Sequence, residues 1–459
     1  MDESATNLHK NILLVSANQH REPFPVYPLG LSYISSYIKE KLPAYTVKLF
    51  DFNFNNLQDF EEELKFFKPR FVGVSLRNID SVNSLNQQSF IDGYQLIMNK
   101  IKEYGKSITV IGGAGFSIFP ELIFQKLSPD FGIYGEGEVS FEKLIETIDK
   151  GDDDFKNIDS LLYQMAGKTI FNKRNQYFKN PSILLDNPTI EYYWKESGML
   201  NIQTKRGCPY KCVYCSYPLI EGNRVRTLNP DQIVSSLIQL NQEKNINYVF
   251  FTDSVFNIKN SFNRELSEKI IESGLKIKWG AYFSHANLTK EDLKLYQRAG
   301  LTHVEFGTES LCDEQLRNYG KSFLFEDVLE KSNYCRDLRI YYAHFLILGG
   351  NGETKKTLHE SFENSKKIDS SVFFPFIGMR IYPGTKLQQQ AIEEGVIAVN
   401  DNLLEPKYYI SDDIDLALLK KEAVATGKTW VFPDRDFNKE ISFLRGHNKK
   451  GPLWEFLVK

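Results

Sequence analysis

Cys208, Cys212 and Cys215 fall within eight residues, in the run Cys208-Pro209-Tyr210-Lys211-Cys212-Val213-Tyr214-Cys215. Three thiolates on one loop can bind three irons of a four-iron cluster. The fourth iron then has no protein ligand, and an open position is what a metal needs to bind and activate a substrate. A zinc site would call for a fourth ligand, and no nearby Cys or His supplies one. The chain has five cysteines in all, a poor disulfide framework and a good ligand set. That usage fits a reducing, cytosolic compartment.

Composition narrows the partners. A formal net charge of −3 gives no general attraction to nucleic acid or to a membrane surface. No segment approaches the roughly 18 consecutive apolar residues of a membrane span. Met1 to Lys10 is polar and lacks the apolar stretch of a signal peptide. With 459 residues, 42% of them hydrophobic, the chain can fill two or three cores.

The elements that must position the cysteines alternate between strand and helix patterns. Residues 1–150 read as five strands, Asn11–Ser16, Val47–Phe50, Phe71–Ser75, Ile108–Ile111 and Phe131–Tyr134. Helical spacings separate them, such as Leu31, Ile34, Ile38 and Leu42, or Phe141, Leu144, Ile145 and Ile148. This predicts an α/β, Rossmann-like parallel sheet with ligands at the carboxyl ends of its strands. Residues 151–195 read as a connector, with turns at Asn180-Pro181 and Asn187-Pro188. Residues 196–395 form a second series, with strands at Leu200–Thr204, Tyr248–Thr252, Lys278–Tyr282, His303–Phe306, Ala343–Leu348 and Phe376–Ile381. Six strand–helix units predict a partial (β/α)6 barrel whose chemistry gathers at the C-terminal strand ends, where the cysteine loop stands. Residues 396–459 read as a mostly helical segment covering the barrel mouth, with Trp430, Arg445 and Trp454 as closing residues.

The cysteine loop, including Tyr214 just before its last cysteine, resembles the signature of the radical S-adenosylmethionine superfamily. The resemblance implies a [4Fe–4S] cluster on Cys208, Cys212 and Cys215, with S-adenosylmethionine at the open iron and a 5′-deoxyadenosyl radical as the product of its cleavage. It also implies cofactor contacts from Asp253, at the end of the second barrel strand, and from Glu309, at the end of the fourth. Ile347 on the fifth strand would lie by the adenine, and Arg380 on the sixth would complete the set. Glu353-Thr354 reads as a helix cap. The remaining histidines, His285, His303, His344, His359 and His447, read as hydrogen-bonded structural residues.

The first domain has no dinucleotide or P-loop fingerprint. Its strand ends carry Leu29-Gly30, Ser75-Leu76-Arg77-Asn78, Gly112-Gly113 and Gly135-Glu136-Gly137-Glu138. Glycines there allow close approach of backbone to a large flat ligand. Order and spacing over about residues 11 to 410 resemble the cobalamin-dependent radical S-adenosylmethionine enzymes, in which a cobalamin-binding domain precedes the barrel. One departure is that His9 and His20, the histidines of this domain, stand in no Asp-x-His-x-x-Gly loop, so no histidine is expected on the lower face of cobalt. Arg77 or Asn78 is placed to cover it instead. The resemblance implies a methyltransferase acting on an unreactive carbon of a small-molecule or peptide substrate, with a cyclase or ring-rearranging enzyme as the alternative. It also implies a flavodoxin or ferredoxin electron donor.

Overall fold

The computed structural model describes residues 10–178 and 189–458. The turns expected at Asn180-Pro181 and Asn187-Pro188 lie outside these residues, as does His9. The chain divides into two compact units, one holding 10–21, 28–81 and 89–178, the other 22–27, 82–88 and 189–458.

The first unit is built on β1 (Asn11–Ser16), β2 (Thr46–Asp51), β3 (Phe71–Ser75), β4 (Ile108–Gly112), β5 (Phe131–Ile133), β6 (Leu161–Met165) and β7 (Lys168–Phe171). Their order is β2-β1-β3-β4-β5-β6-β7. The first five run parallel, and β1 is apolar on both faces because helices cover both. The chain reverses direction across the sheet between β1 and β3, which opens a crevice at their carboxyl ends. Ile12, Leu14, Phe71, Val110, Leu144 and Ile145 share the core on one side.

Two strands exceed the five expected. Residues 161–171, expected as connector, form the hairpin β6–β7, which extends the sheet antiparallel to β5. Ala166 and Gly167 turn it with φ of 50° and 74°, the left-handed pair that a two-residue hairpin requires. Its strands are short and half polar, so they carry little periodic signal.

The second unit holds β8 (Leu200–Ile202), β9 (Lys205–Arg206), β10 (Arg226–Thr227), β11 (Tyr248–Phe251), β12 (Lys278–Phe283), β13 (Leu301–Glu309), β14 (Tyr341–Leu348), β15 (Val372–Ile377), β16 (Met379–Arg380), β17 (Tyr408–Tyr409) and β18 (Thr429–Trp430). The main sheet is β18-β15-β14-β13-β12-β11-β8, parallel throughout, so the expected six strands gain a seventh from the C-terminal segment. The sixth strand begins at Val372, not Phe376. Gly378, at φ 69°, ends it, and Arg380 sits on the separate β16, paired antiparallel with β17.

One face of this sheet packs on helices through a run of stacked rings. His285, Phe306, His344, Phe373 and Trp430 lie on successive strands or their extensions, with neighbouring centroids 4.0 to 5.6 Å apart. His344 bonds Thr308 at 2.8 Å and Ser332 at 3.2 Å, and His285 bonds Thr308 at 2.9 Å, so both are structural histidines.

The C-terminal segment divides. Its first part reaches the carboxyl ends of the strands, where Ser411 donates to Gly349 O at 2.9 Å and Ile381 to Lys407 O at 2.9 Å. Trp430, Arg445 and Trp454 are at the other end. Trp430 pairs with Phe373 early in β15, Trp454 packs on Ala343 and Val372, and Arg445 lies against Gly198, ahead of β8. Arg445 and Trp454 therefore close the floor of the barrel and not its mouth, while Trp430 packs on the helix side of the sheet between Phe362 and Phe373.

Backbone fit distinguishes the glycines of the first unit. Gly113 has φ 97°, and a Cβ there would meet Leu76 O at 2.6 Å, whereas one at Gly30 would meet nothing within 4 Å. Gly113→Ala should cost about 1–3 kcal/mol and lower the thermal unfolding temperature of the cofactor-free chain. Gly30→Ala, in the first turn of the helix Leu29–Lys41, should not lower that temperature and should raise it slightly, as calorimetry would show.

Candidate active site

The cysteine loop leaves β9 through Gly207, whose φ of 86° and 2.2 Å approach of a Cβ to Arg224 O admit no side chain. β9 and β10 pair antiparallel and pinch the base of the excursion. Backbone bonds fix its course. Cys208 N donates to Gly222 O at 3.0 Å, Val213 N to Tyr319 O at 3.1 Å, and Leu387 N to Val213 O at 2.8 Å.

All three thiols are free, Cys208 buried and the other two half-buried. Burial pushes Cys215 up to about 12 and Cys212 above the ordinary thiol range, so both are unreactive until a cation displaces their protons. Lys321 lies close enough to pull both the other way. Among the described residues no three His, Cys, Asp or Glu groups converge as they would on one ion. The thiolates of a cluster bind separate irons and need not converge. Three free thiols on one constrained loop, a cation beside them and no disulfide partner fit a cluster.

Behind the loop stands a buried polar group that the sequence showed only in part. The Tyr214 hydroxyl and the Lys321 ammonium both donate to Glu309 Oε1, the latter at 3.0 Å. Burial works against the charge on Lys321, but Glu309 and the nearby thiols outweigh it and hold its pKa above the ordinary value. Glu309 has φ 63° at a bulge in the β13–β14 pairing, a strained conformation for a glutamate. The structure therefore brings Tyr214 and Glu309 together and adds Lys321. That residue follows the turn glycine Gly320, and nothing in its spacing marks it.

Asp253 and Arg380 stand differently from expectation. Asp253 is 1% exposed; it accepts from Thr204 N at 2.7 Å, Thr204 Oγ1 at 2.6 Å, Lys205 N at 3.0 Å and Lys205 Nζ at 2.6 Å. A carboxylate with four protein donors has little left for a ligand, so it positions β9 and the loop that follows. Arg380 is buried and spends its guanidinium on carbonyls of Ile381 and Leu403, at 2.6 and 2.7 Å, holding the crossing segment. Ile347 is half-buried near the end of β14, and its carbonyl accepts from Tyr319 at 3.4 Å.

Thr354 caps the helix Lys355–Ser365 as expected, but Glu353 does not share that task. Glu353 accepts from Gly349 N at 2.6 Å and Tyr319 OH at 3.2 Å, and burial pushes its carboxyl up to about 8.

In the first unit the carboxyl strand ends bring together Asn18, Ser75, Arg77, Asn78, Gly112 and the stretch Gly135–Glu138. Asn18 Oδ1 is buried with no hydrogen-bond partner, and Gly30 faces open space. Both observations fit a large ligand bound there. Other glycines serve internal packing instead. Gly112 and Gly113 close on the backbone of Ile133 and Leu76, Gly137 packs on Ile34, and Gly135 N donates to Ser117 Oγ at 2.7 Å. Glu136 accepts from Phe178 N at 2.7 Å, and Glu138 is 3% exposed. The Asn78 carbonyl accepts from Tyr94, whose hydroxyl lies in the field of Arg77. His20 lies beside the Phe90 ring, 5.5 Å between centroids.

Comparison with known proteins agrees with both halves. Residues 202–364 match the Radical SAM superfamily, and residues 22–145 match the B12 binding domain. One chain thus carries both a radical S-adenosylmethionine domain and a B12-binding domain. It is 26% identical to an uncharacterised methyltransferase of Pyrococcus horikoshii, over 86% of each chain. It is 21% identical to the tryptophan 2-C-methyltransferase of Streptomyces laurentii, over 83% of this chain and 74% of that one. The solved structure of the radical S-adenosylmethionine methyltransferase TsrM from Kitasatospora setae, with cobalamin and a [4Fe–4S] cluster bound, has the same fold. Its TM-score is 0.84 at 19% identity, over 97% of both chains.

Glu353 gives this site a pH signature. Its carboxyl keeps a proton to about 8 when folded, against 4.5 when unfolded. Between those values the folded state binds the extra proton, so this group's contribution to stability falls as pH rises. Wild type should lose stability relative to Glu353→Gln from about pH 5 to about pH 8, measured by urea unfolding.

Proposed function

We propose that this chain is a C-methyltransferase that takes a methyl group from S-adenosylmethionine to an unreactive carbon of a small-molecule or peptide substrate. The observation that carries the reading is the pairing of an open three-cysteine loop with a B12-binding domain in one chain. Bound together, a four-iron cluster, cobalamin and S-adenosylmethionine would supply a 5′-deoxyadenosyl radical and a transferable methyl group.

The chain's own residues bind and orient. Cys208, Cys212 and Cys215 would hold the cluster, leaving one iron for S-adenosylmethionine. Tyr214, Glu309 and Lys321 brace the loop from behind, and Glu309 Oε2 is the oxygen left for an ammonium or ribose hydroxyl. Ile347 offers an apolar edge to a flat ring. Asp253 and Arg380 act at one remove, by fixing the loop and the crossing segment. In the first unit Leu29, Gly30, Ser75, Arg77 and Asn78 would hold cobalamin, and Arg77 or Asn78, not a histidine, would stand nearest the cobalt, while the Gly112–Gly113 and Gly135–Glu138 stretches shape the strand ends behind them. An external donor of the flavodoxin or ferredoxin type and a cytoplasmic setting complete the reading. Among the described residues no helix is long and apolar enough to cross a membrane.

The test is anaerobic turnover of reconstituted protein with deuteromethyl-labelled S-adenosylmethionine and a reductant. Mass spectrometry should find label on cobalamin together with 5′-deoxyadenosine, and Cys212→Ala should abolish the deoxyadenosine while cobalamin still binds. Deoxyadenosine without labelled cobalamin would instead assign the chain to cyclisation or rearrangement.

The lower face of cobalt has a separate readout. Electron paramagnetic resonance of bound cob(II)alamin should lack the superhyperfine splitting of a nitrogen ligand. A histidine-nitrogen triplet would overturn the placement of Arg77.

A further inference from the structure

The two faces of the barrel sheet are built differently. On the helix side Phe306, Thr308, His344, Leu346 and Phe373 are each 0 or 1% exposed. Residues of opposite parity on the same strands line the concave side. There Phe345 and Phe374 stack at 5.2 Å with planes 17° apart, and Phe250 meets Tyr282 edge-on at 5.0 Å. Tyr282 and Phe376 each keep 42% of their surface exposed. Large aromatic faces left accessible inside a barrel form a binding wall.

One carboxyl interrupts that wall. Glu305 pairs in register with Tyr282 on one side and Ala343 on the other, and it is 7% exposed. Its Oε1 accepts from the Trp454 indole N–H at 3.0 Å. Among the described residues this is its one hydrogen-bond partner, and no cation pairs with it. The neighbouring His303 is held through Nδ1 by the hydroxyls of Tyr248 and Thr302, at 2.7 and 2.9 Å. Burial pushes the Glu305 carboxyl up to about 7, against the pull of the indole. A buried acid with a single neutral donor is poorly matched to its surroundings, and a cation set beside it recovers the lost solvation. Capping the indole alone would need only a neutral acceptor, which glutamine provides.

We propose that the concave side of the barrel is the substrate chamber and that Glu305 is its specificity residue, receiving the protonated amine of a substrate whose aromatic ring lies on the Tyr282, Phe345 and Phe374 faces. This rests on the methyltransferase reading only in taking the chamber as the place of the substrate. Aromatic faces and a carboxylate together favour a cation on a ring-bearing molecule.

Calorimetric titration of the cofactor-loaded full chain with matched probes tests it, using tryptamine against 3-ethylindole and phenethylamine against ethylbenzene. The amines should bind about tenfold more tightly than their neutral partners. Glu305→Gln should remove that preference and leave the neutral probes' affinity unchanged, which also reports a folded chamber. If Glu305→Gln fails to fold, Glu305→Asp should fold and retain the preference, and its loss there would count against the proposal. Equal binding of amine and neutral probe by wild type, no binding by either, or a preference that survives in Glu305→Gln would overturn it. Binding is read without turnover, so its failure is separable from failure of the labelled-methyl assay.

Discussion

A single buried carboxylate anchors the cysteine loop. Asp253, just beyond β11, gathers two backbone N–H groups, a hydroxyl and an ammonium from Thr204 and Lys205, and thereby fixes the stretch that enters the loop. Lys205 lies under the Phe256 and Phe262 rings, 4.3 and 5.3 Å from their centroids, and burial lowers its pKa while Asp253 raises it. Removing one partner of such a pair leaves the other charged and dry, a loss of about 3–5 kcal/mol. The loop thus inherits the rigidity of the barrel, and three thiols stay gathered that would otherwise move apart.

Residue types revealed the chemistry better than they revealed which groups are occupied. The cysteine spacing, the strand–helix alternation and the position of the loop after a strand were all legible, because each follows from a local pattern. Asp253 and Glu309 have equally informative neighbours in sequence, yet one is consumed by Thr204 and Lys205 while the other faces Tyr214 and Lys321. Only tertiary contacts separate those cases. The β6–β7 hairpin leaves little pattern because its outer strand is short and half-exposed, and the start of the sixth barrel strand is obscured because Phe374 and Phe376 both fit a strand pattern across Pro375.

Which end of the barrel the C-terminal segment closes is not legible in the sequence for a related reason. Trp430, Arg445 and Trp454 carry the sequence marks of closing residues; Arg445 and Trp454 do close the barrel, but at its amino end, and Trp430 packs on the helix side. Sequence position after the last strand gives no direction. The direction comes from the pairing of β18 beside the start of β15 and from the seat of Trp454 on Ala343 and Val372. Between those two ends the sheet is aromatic and partly exposed on its concave side and tightly packed on its helix side.

Glu309 carries a tension between its backbone and its side chain. Its left-handed backbone costs about 1–3 kcal/mol that a glycine there would not. A glycine would relax the bulge, and it would also release Tyr214 and Lys321 from their shared acceptor. An ammonium left buried and unpaired costs about 3–5 kcal/mol, more than the strain relieved, so stability and the brace behind the cysteines both favour the carboxylate. Asparagine and aspartate, the other residues at ease in that conformation, are a methylene too short to take over its reach. The longer carboxylate is held in place against the preference of its own backbone.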